Sequence, residues 1–524
     1  MSVIEQSPES SLVSVIGISM GDEGKGRVVH EILEQHKSTY GRPAAGVMKV
    51  NGGANAGHTA AGLKLNLLPS GVGDPDVETL FIGSGVVADP RKFLWEAKPL
   101  ESRGLKVINR LLIDEKCQMS DLSHRLLDLA WENYRINQLG MESRGSTGRG
   151  ISPAYCDETG QWQIFYQSFL EDKDLFALAL KQRCQRTIDT IRWVCKVEES
   201  VWYEFFDALT SAETRANKAS IEDGIFSPDE FDFGRFMGKQ PFSLNLDELI
   251  DVYWNAGKEL AHCIQDGRDF LLHSVRKKKL VVAEFGQAYW LDKRHGFTPN
   301  VTASHTTSAE LFNSGGIPLQ PVTQIGCCKA YDTKVGTHHF LTQVDHLANP
   351  WGAKLAKLEF GTSTGRQRMV GWFDAVEKGN ALRYGGFDQI VINKLDALTL
   401  DDTVPPELKI CTAYKMPDGT HTRSVPRNES LRQKLEPVYK TLPGWKDDLR
   451  GLTSFQQLPP QAKEYITEML ISLIEVAYPH GWKHEKLPKI RFIGIGPDPG
   501  QIISDLPHTR DFLESKSVQV SVLS

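Results

Sequence analysis

Short apolar runs that end in glycine-rich polar turns recur along the chain. The first, Leu12, Val13, Val15, Ile16 and Ile18, reads as a buried strand. Val28, Val29, Ile32 and Leu33 follow at helical spacing, and between the two lies Gly21-Asp22-Glu23-Gly24-Lys25-Gly26. Gly46-Val47-Met48-Lys49-Val50 runs into Asn51-Gly52-Gly53-Ala54-Asn55-Ala56-Gly57-His58-Thr59, and Leu280-Val281-Val282-Ala283-Glu284 runs into Gly286-Gln287. Later units end at Lys329-Ala330-Tyr331, at Gly361-Thr362-Ser363-Thr364-Gly365-Arg366, at Asn393-Lys394-Leu395-Asp396 and at Gly494-Ile495-Gly496-Pro497. Strands alternating with helices predict an α/β fold with one large, mostly parallel central sheet flanked by helices. Its ligands gather beyond the C-terminal strand ends. Residues 1–11 read as a disordered polar tail and residues 12–524 as a single domain. The poorly patterned polar stretch 211–242 reads as an insertion or mobile loop.

Composition narrows the setting. A formal net charge of −6 gives no reason to expect nucleic acid as a partner. No signal-peptide pattern or membrane-spanning apolar stretch is evident, which predicts a cytoplasmic protein with no membrane partner. The eight cysteines are scattered without a CxxC pair, as expected of reduced thiols.

Strand, glycine-rich turn and helix together aim backbone N–H groups at phosphate, with the helix N-terminus adding partial positive charge. The turn at Gly21–Gly26 is P-loop-like but not a Walker A motif, since it lacks the four-residue spacer and the hydroxyl after the lysine. Two carboxylates beside phosphate call for a divalent cation, so Asp22 reads as a metal ligand, an acid–base group, or both, and Lys25 as a phosphate contact. Asn393-Lys394-Leu395-Asp396 has the form Asn-Lys-x-Asp, in which a carboxylate accepts from N1–H and the 2-amino group of guanine. His58 ends a glycine-rich turn and could donate to a transferring phosphoryl group. Arg366 and Arg368 suit a carboxylate or phosphate, with Thr362, Ser363 and Thr364 as hydroxyl donors beside them. Gln287 could reach a base edge, while Glu284 reads as structural and His338 and His339 as loop residues.

The ordered set of motifs resembles the adenylosuccinate synthetase family, which joins aspartate to IMP using GTP. The likeness extends from Gly21-Asp22-Glu23-Gly24-Lys25-Gly26 through Ser146-Thr147-Gly148-Arg149-Gly150-Ile151, Val301-Thr302-Ala303-Ser304, Gly371-Trp372-Phe373-Asp374, Met416-Pro417-Asp418-Gly419 and Pro443-Gly444-Trp445 to Gly496-Pro497. The resemblance implies a 6-phosphoryl intermediate. Asp22 takes the N1 proton and binds magnesium together with the Gly57 carbonyl, His58 assists transfer to O6, and Lys25 and Gln287 complete the catalytic set. It implies GTP contacts from Gly21, Glu23, Gly24, Gly26, Arg27 and Thr59. Arg368, Lys394, Asp396, Gly494 and Gly496 complete that site. IMP falls to Asn55, Thr147, Arg149, Gln287, Thr302 and Arg366, and aspartate to Thr362, Ser363, Thr364, Arg366 and Arg368. A homodimer whose active site borrows an arginine from the neighbouring subunit is implied as well.

Several positions depart from the family pattern. The usual His-Asn-Ala-Gly-His is Ala54-Asn55-Ala56-Gly57-His58, and Glu-Gly-Ala-Gln is Glu284-Phe285-Gly286-Gln287. The cross-subunit arginine falls at Gln161, and a usual arginine is Lys334. Arg149, Arg144 and Lys334 are candidate replacements for the missing charge, with His338 and His339 able to contribute when protonated. The expected function is a GTP-dependent ligase with IMP as acceptor. A paralogue using GMP, dGMP or a specialised metabolite is an alternative, and a non-catalytic GTP-binding regulator another.

Overall fold

A computed structural model of the chain describes residues 10–334, 340–360 and 367–522, with side chains to residue 515. Ten strands build the central sheet: β1 (Leu12–Gly17), β2 (Gly46–Lys49), β3 (Thr79–Ile82), β4 (Leu111–Asp114), β5 (Ile264–Gln265), β6 (Val281–Ala288), β7 (Thr323–Lys329), β8 (Gln389–Asn393), β9 (Lys489–Gly494) and β10 (Ile502–Ile503). Their order is β10-β9-β8-β7-β1-β6-β2-β3-β4-β5. Every pairing is parallel except β9 with β10.

β1 lies mid-sheet, with Val13 opposite Val282 of β6 and Thr323 of β7. Side chains alternate along a strand, so a sheet covered on both faces needs an apolar residue at nearly every position. Val13 and Val15 accordingly pack with Val28, Val29, Ile32 and Leu33 of helix α1 (Lys25–Tyr40) on one side of the sheet. Leu12 and Ile16 pack into the core of the other side. Further helices used below are α2 (Leu122–Asn137), α3 (Ile151–Gly160), α4 (Lys173–Asp189) and α5 (Glu199–Ala216).

Two expectations change. Ser10 and Ser11 belong to the sheet edge rather than to a loose tail: the Ser10 hydroxyl donates to the Pro321 carbonyl at 2.6 Å, and Val281 N–H donates to the Ser11 carbonyl at 2.8 Å. Residues 1–9 lie outside the described residues. The stretch 211–242 is folded, not a mobile loop. It continues α5 into a short helix (Lys218–Glu222) and buries Phe231, Phe233 and Phe236 completely. Single phenylalanines carry large apolar area without a periodic stripe, which is why the pattern there looked like loop. All eight cysteines are free, and seven are buried. No helix among the described residues is long and apolar enough to cross a membrane.

Candidate active site

The turns after β1, β2, β6, β7 and β8, with Gly496 beyond β9, open into one cleft of about 710 Å³. This is the C-terminal sheet edge where the sequence pattern placed ligands. Asp22 and Lys394 both hold left-handed backbone conformations there, at φ 65° and 59°. Such conformations are costly for non-glycine residues and concentrate at functional sites.

In the first loop the two carboxylates face different ways. The Glu23 carboxylate turns inward, accepting from Gly21 N–H at 2.7 Å and from the Lys25 ammonium at 2.9 Å. A Cβ on Gly17 would stand 2.2 Å from Glu23 Oε2, so only glycine permits this packing. Burial disfavours the Lys25 ammonium, but Glu23 outweighs it and raises the lysine pKa. Gly26 is fixed for a similar reason: a Cβ would meet the Thr59 carbonyl at 2.8 Å where α1 starts against the His58–Ala60 strand.

Asp22 faces the cleft. Its carboxylate receives Arg368 Nε at 3.2 Å, and Lys329 Nζ stands 3.8 Å away. Burial would raise its pKa, but Lys329, Arg368 and Lys394 together lower it, so it is ionised. His58, which lines the same cleft, is braced: Nδ1 is hydrogen-bonded to the buried Glu284 carboxylate, which also accepts from Ser70 N–H at 2.8 Å. Glu284 therefore positions a cleft residue, beyond the structural part expected of it. Burial pushes the Glu284 carboxyl up, yet His58, Lys49 and Ser70 hold it at about 2. His58 Nε2 is buried with no partner among the described residues.

At the β8 end, Lys394 Nζ donates to Glu359 at 2.6 Å and Lys329 to the same carboxylate at 2.8 Å. Asp396 Oδ1 is buried and unpartnered among the described residues, and burial raises its pKa. Arg27 donates to the carbonyls of Gly496 and, at 2.9 Å, Gln501, tying α1 to the turn after β9. Gln287 donates to Asn55 at 3.3 Å and accepts from Asn51 at 3.2 Å.

Most sequence-predicted residues thus line one cleft: Gly21, Asp22, Glu23, Gly24, Lys25, Gly26, Arg27, Asn55, Gly57, His58, Thr59, Thr147, Gln287, Thr302, Arg368, Lys394, Asp396 and Gly496. Gly494 does not line the cleft. Arg149 is a correction: its guanidinium turns away and pairs with Glu213 of α5, so it is not placed to meet a nucleotide. Thr362, Ser363, Thr364 and Arg366, like His338 and His339, lie outside the described residues. Sequence reasoning gave no role to Lys329, Glu359, Asn51 or Arg135. Lys329 was detectable as a charged strand end, whereas Glu359 and Arg135 lie in stretches without a motif.

The donors fit magnesium. No three His, Cys, Asp or Glu side chains cluster as a metal cage among the described residues. Asp22 and Gly57 instead both line the cleft, where a carboxylate and a main-chain carbonyl are hard oxygen donors. Magnesium is commonly held in this way, by one or two carboxylates with substrate phosphates and water completing the shell.

A phosphate-directed loop, a braced histidine and a buried carboxylate oxygen without a partner among the described residues, all at one sheet edge, define an α/β enzyme that works on nucleotides. The comparisons specify the class. The family model for adenylosuccinate synthetase matches residues 14–224 and 229–478. The adenylosuccinate synthetase of Thermosynechococcus vestitus is 34% identical over 460 residues, 87% of this chain and 88% of that protein. That of Geobacter sulfurreducens is 32% identical over 465 residues, 87% of this chain and 92% of that protein. The fully ligated adenylosuccinate synthetase structure from Plasmodium falciparum superposes with a TM-score of 0.73 at 25% identity, covering 95% of this chain and 100% of that one. The chain belongs to the adenylosuccinate synthetase family. This is a family of GTP- and magnesium-dependent C–N ligases of purine nucleotide synthesis, generally dimeric.

Proposed function

We propose that this chain joins L-aspartate to the 6-position of IMP in the cytoplasm, with GTP as phosphoryl donor, and that the cleft residues divide the work as follows. Asp22 accepts the N1 proton, which makes O6 a better nucleophile. O6 attacks the γ-phosphorus of GTP, releasing GDP, while His58 Nε2 donates to the transferring phosphoryl group. The aspartate amino group then attacks C6, and O6 leaves with the phosphate. Magnesium, when bound by Asp22 and the Gly57 carbonyl, neutralises charge on the phosphates. Lys329 and Arg368, which lower the Asp22 pKa here, would shift toward phosphate charge and leave Asp22 more basic. Asp396 Oδ1 takes the guanine donors.

The observation that carries this reading is His58, tied at Nδ1 to Glu284 and left without a partner at Nε2 among the described residues, in the same cleft as Asp22. The experiment is phosphate release with GTP and aspartate across IMP, dIMP, GMP and dGMP, with the product weighed by mass spectrometry. Release that depends on IMP and yields adenylosuccinate is expected. Release with dGMP or GMP but not IMP would move the chain to the alternative acceptors.

A further inference from the structure

The wall of the cleft beyond β4 holds charge that the steps above leave unused. Asp128, Trp131, Glu132 and Arg135 recur three and four residues apart on α2, so one face of that helix meets the cleft. Glu132 Oε2 accepts from the Ser143 hydroxyl and from Gly145 N–H at 3.2 Å. Arg144, between those two residues, is thereby held against the last turns of α2, where Arg135 follows Glu132 by about one turn. The Ser146 hydroxyl accepts from Gly148 N–H at 3.2 Å, fixing the turn that sets Thr147 on the same wall.

Neither guanidinium has an ion pair or hydrogen bond with any described residue, and Arg135 Nε is buried without a partner. Of the nearby carboxylates, Glu132 is engaged with the loop, and Asp128 accepts from Gly150 N–H at 3.1 Å while the Arg144 charge reaches it only through space. Two planar forks and a hydroxyl facing a cleft suit a tetrahedral dianion. Topology separates this corner from the guanine end, since α2 follows β4 on one side of β1 and Lys394 follows β8 on the other.

We propose that Arg135 and Arg144 hold the 5′-phosphate of the acceptor nucleotide. This rests on reading that acceptor as a nucleoside monophosphate. The charge for which the sequence offers Gln161 is then supplied within the same chain, by a helix face and a pinned loop.

The test uses the full-length enzyme. Arg135→Gln and Arg144→Gln should each raise the KM for IMP on the order of 10- to 100-fold, the effect of one lost charge-assisted contact. The KM values for GTP and aspartate and the melting temperature should stay near those of the wild type. Ribose 5-phosphate, which presents the phosphate without the base, should compete with IMP in the wild type and weaken by the same factor in both variants. An unchanged KM for IMP in both variants, or a loss spread equally over all three substrates, would overturn the assignment. If the wild type shows no IMP-dependent phosphate release, yet binds ribose 5-phosphate by calorimetry and loses it on Arg135→Gln, the acceptor reading falls and the anchor stands. Ribose 5-phosphate bound equally by wild type and variants would remove the anchor itself.

Discussion

Arg144 and Arg149 belong to one glycine-rich loop, and the fold treats them in opposite ways. Arg149 is drawn under α5, where Glu213, wholly buried, serves both it and Arg125, whose Nη2 lies 2.9 Å away. Burial, with Arg125 adding to it, brings the Arg149 guanidinium down to about 9. Arg144 lines the cleft and makes no ion pair or hydrogen bond with a carboxylate among the described residues, its charge reaching Asp128 only through space. A buried cation that the protein neutralises is part of the scaffold, and one left open in a cleft is addressed to a ligand. Residue type within the motif does not distinguish the two. The partner does, and Glu213 comes from a distant helix.

The largest effects should come from the open side. Asp22→Asn and His58→Asn should each lower kcat by about 10²- to 10⁴-fold with GTP binding by calorimetry largely kept. Near-normal turnover in either variant would break the assignment. On the neutralised side, Glu213→Ala strands two guanidiniums, Arg125 and Arg149, and should cost about 3–5 kcal/mol in denaturant unfolding. The KM for IMP should barely move. A large KM change with intact stability would instead make Arg149 a ligand.

Glu284 spans both classes, as it is buried and paired yet braces a cleft residue. Its carboxyl, held at about 2 against an ordinary 4.5, contributes stability that is present above the unfolded value and lost as pH falls toward about 2. The contribution is on the order of 3 kcal/mol. Glu284→Gln should therefore be less stable at neutral pH and flatter through that acid window in pH-dependent unfolding, with kcat reduced as well. The smallest effect should come from Lys334, a cleft lysine whose ammonium is buried without a partner among the described residues. Burial, with Arg432 adding to it, brings it down to about 8 from 10.5, so the penalty is full below the lower value and fades as pH rises through the upper. Lys334→Met should raise stability at neutral pH by about 1–2 kcal/mol, read from the melting temperature.

The strands around the cleft were legible as short apolar runs, and the cleft because each such run feeds a polar turn at the same sheet edge, whereas β4 lay in a stretch that reads as partly helical and β5 and β10 are only two residues long. Asp22, His58 and Asp396 could be found that way, being local to those turns. The bracing of His58 by Glu284 was not, since His58 lies past the turn that follows β2, Glu284 lies in β6, and only strand order makes them neighbours. The direction of Arg149 and the exposure of Arg135 to the cleft depend on where α2 and α5 sit in the fold, which the helical spacing of their own buried residues does not specify.

All of these assignments serve one chemical event, in which the purine oxygen is phosphorylated and then displaced. IMP carrying heavy oxygen at O6 tests it directly. Incubated with the enzyme, GTP, magnesium and aspartate, it should yield inorganic phosphate containing one heavy oxygen per turnover, seen by mass spectrometry, while the nucleotide product carries none. Phosphate bearing only ordinary oxygen, with product formed at the same rate, would contradict a 6-phosphoryl intermediate and with it the roles given to Asp22 and His58.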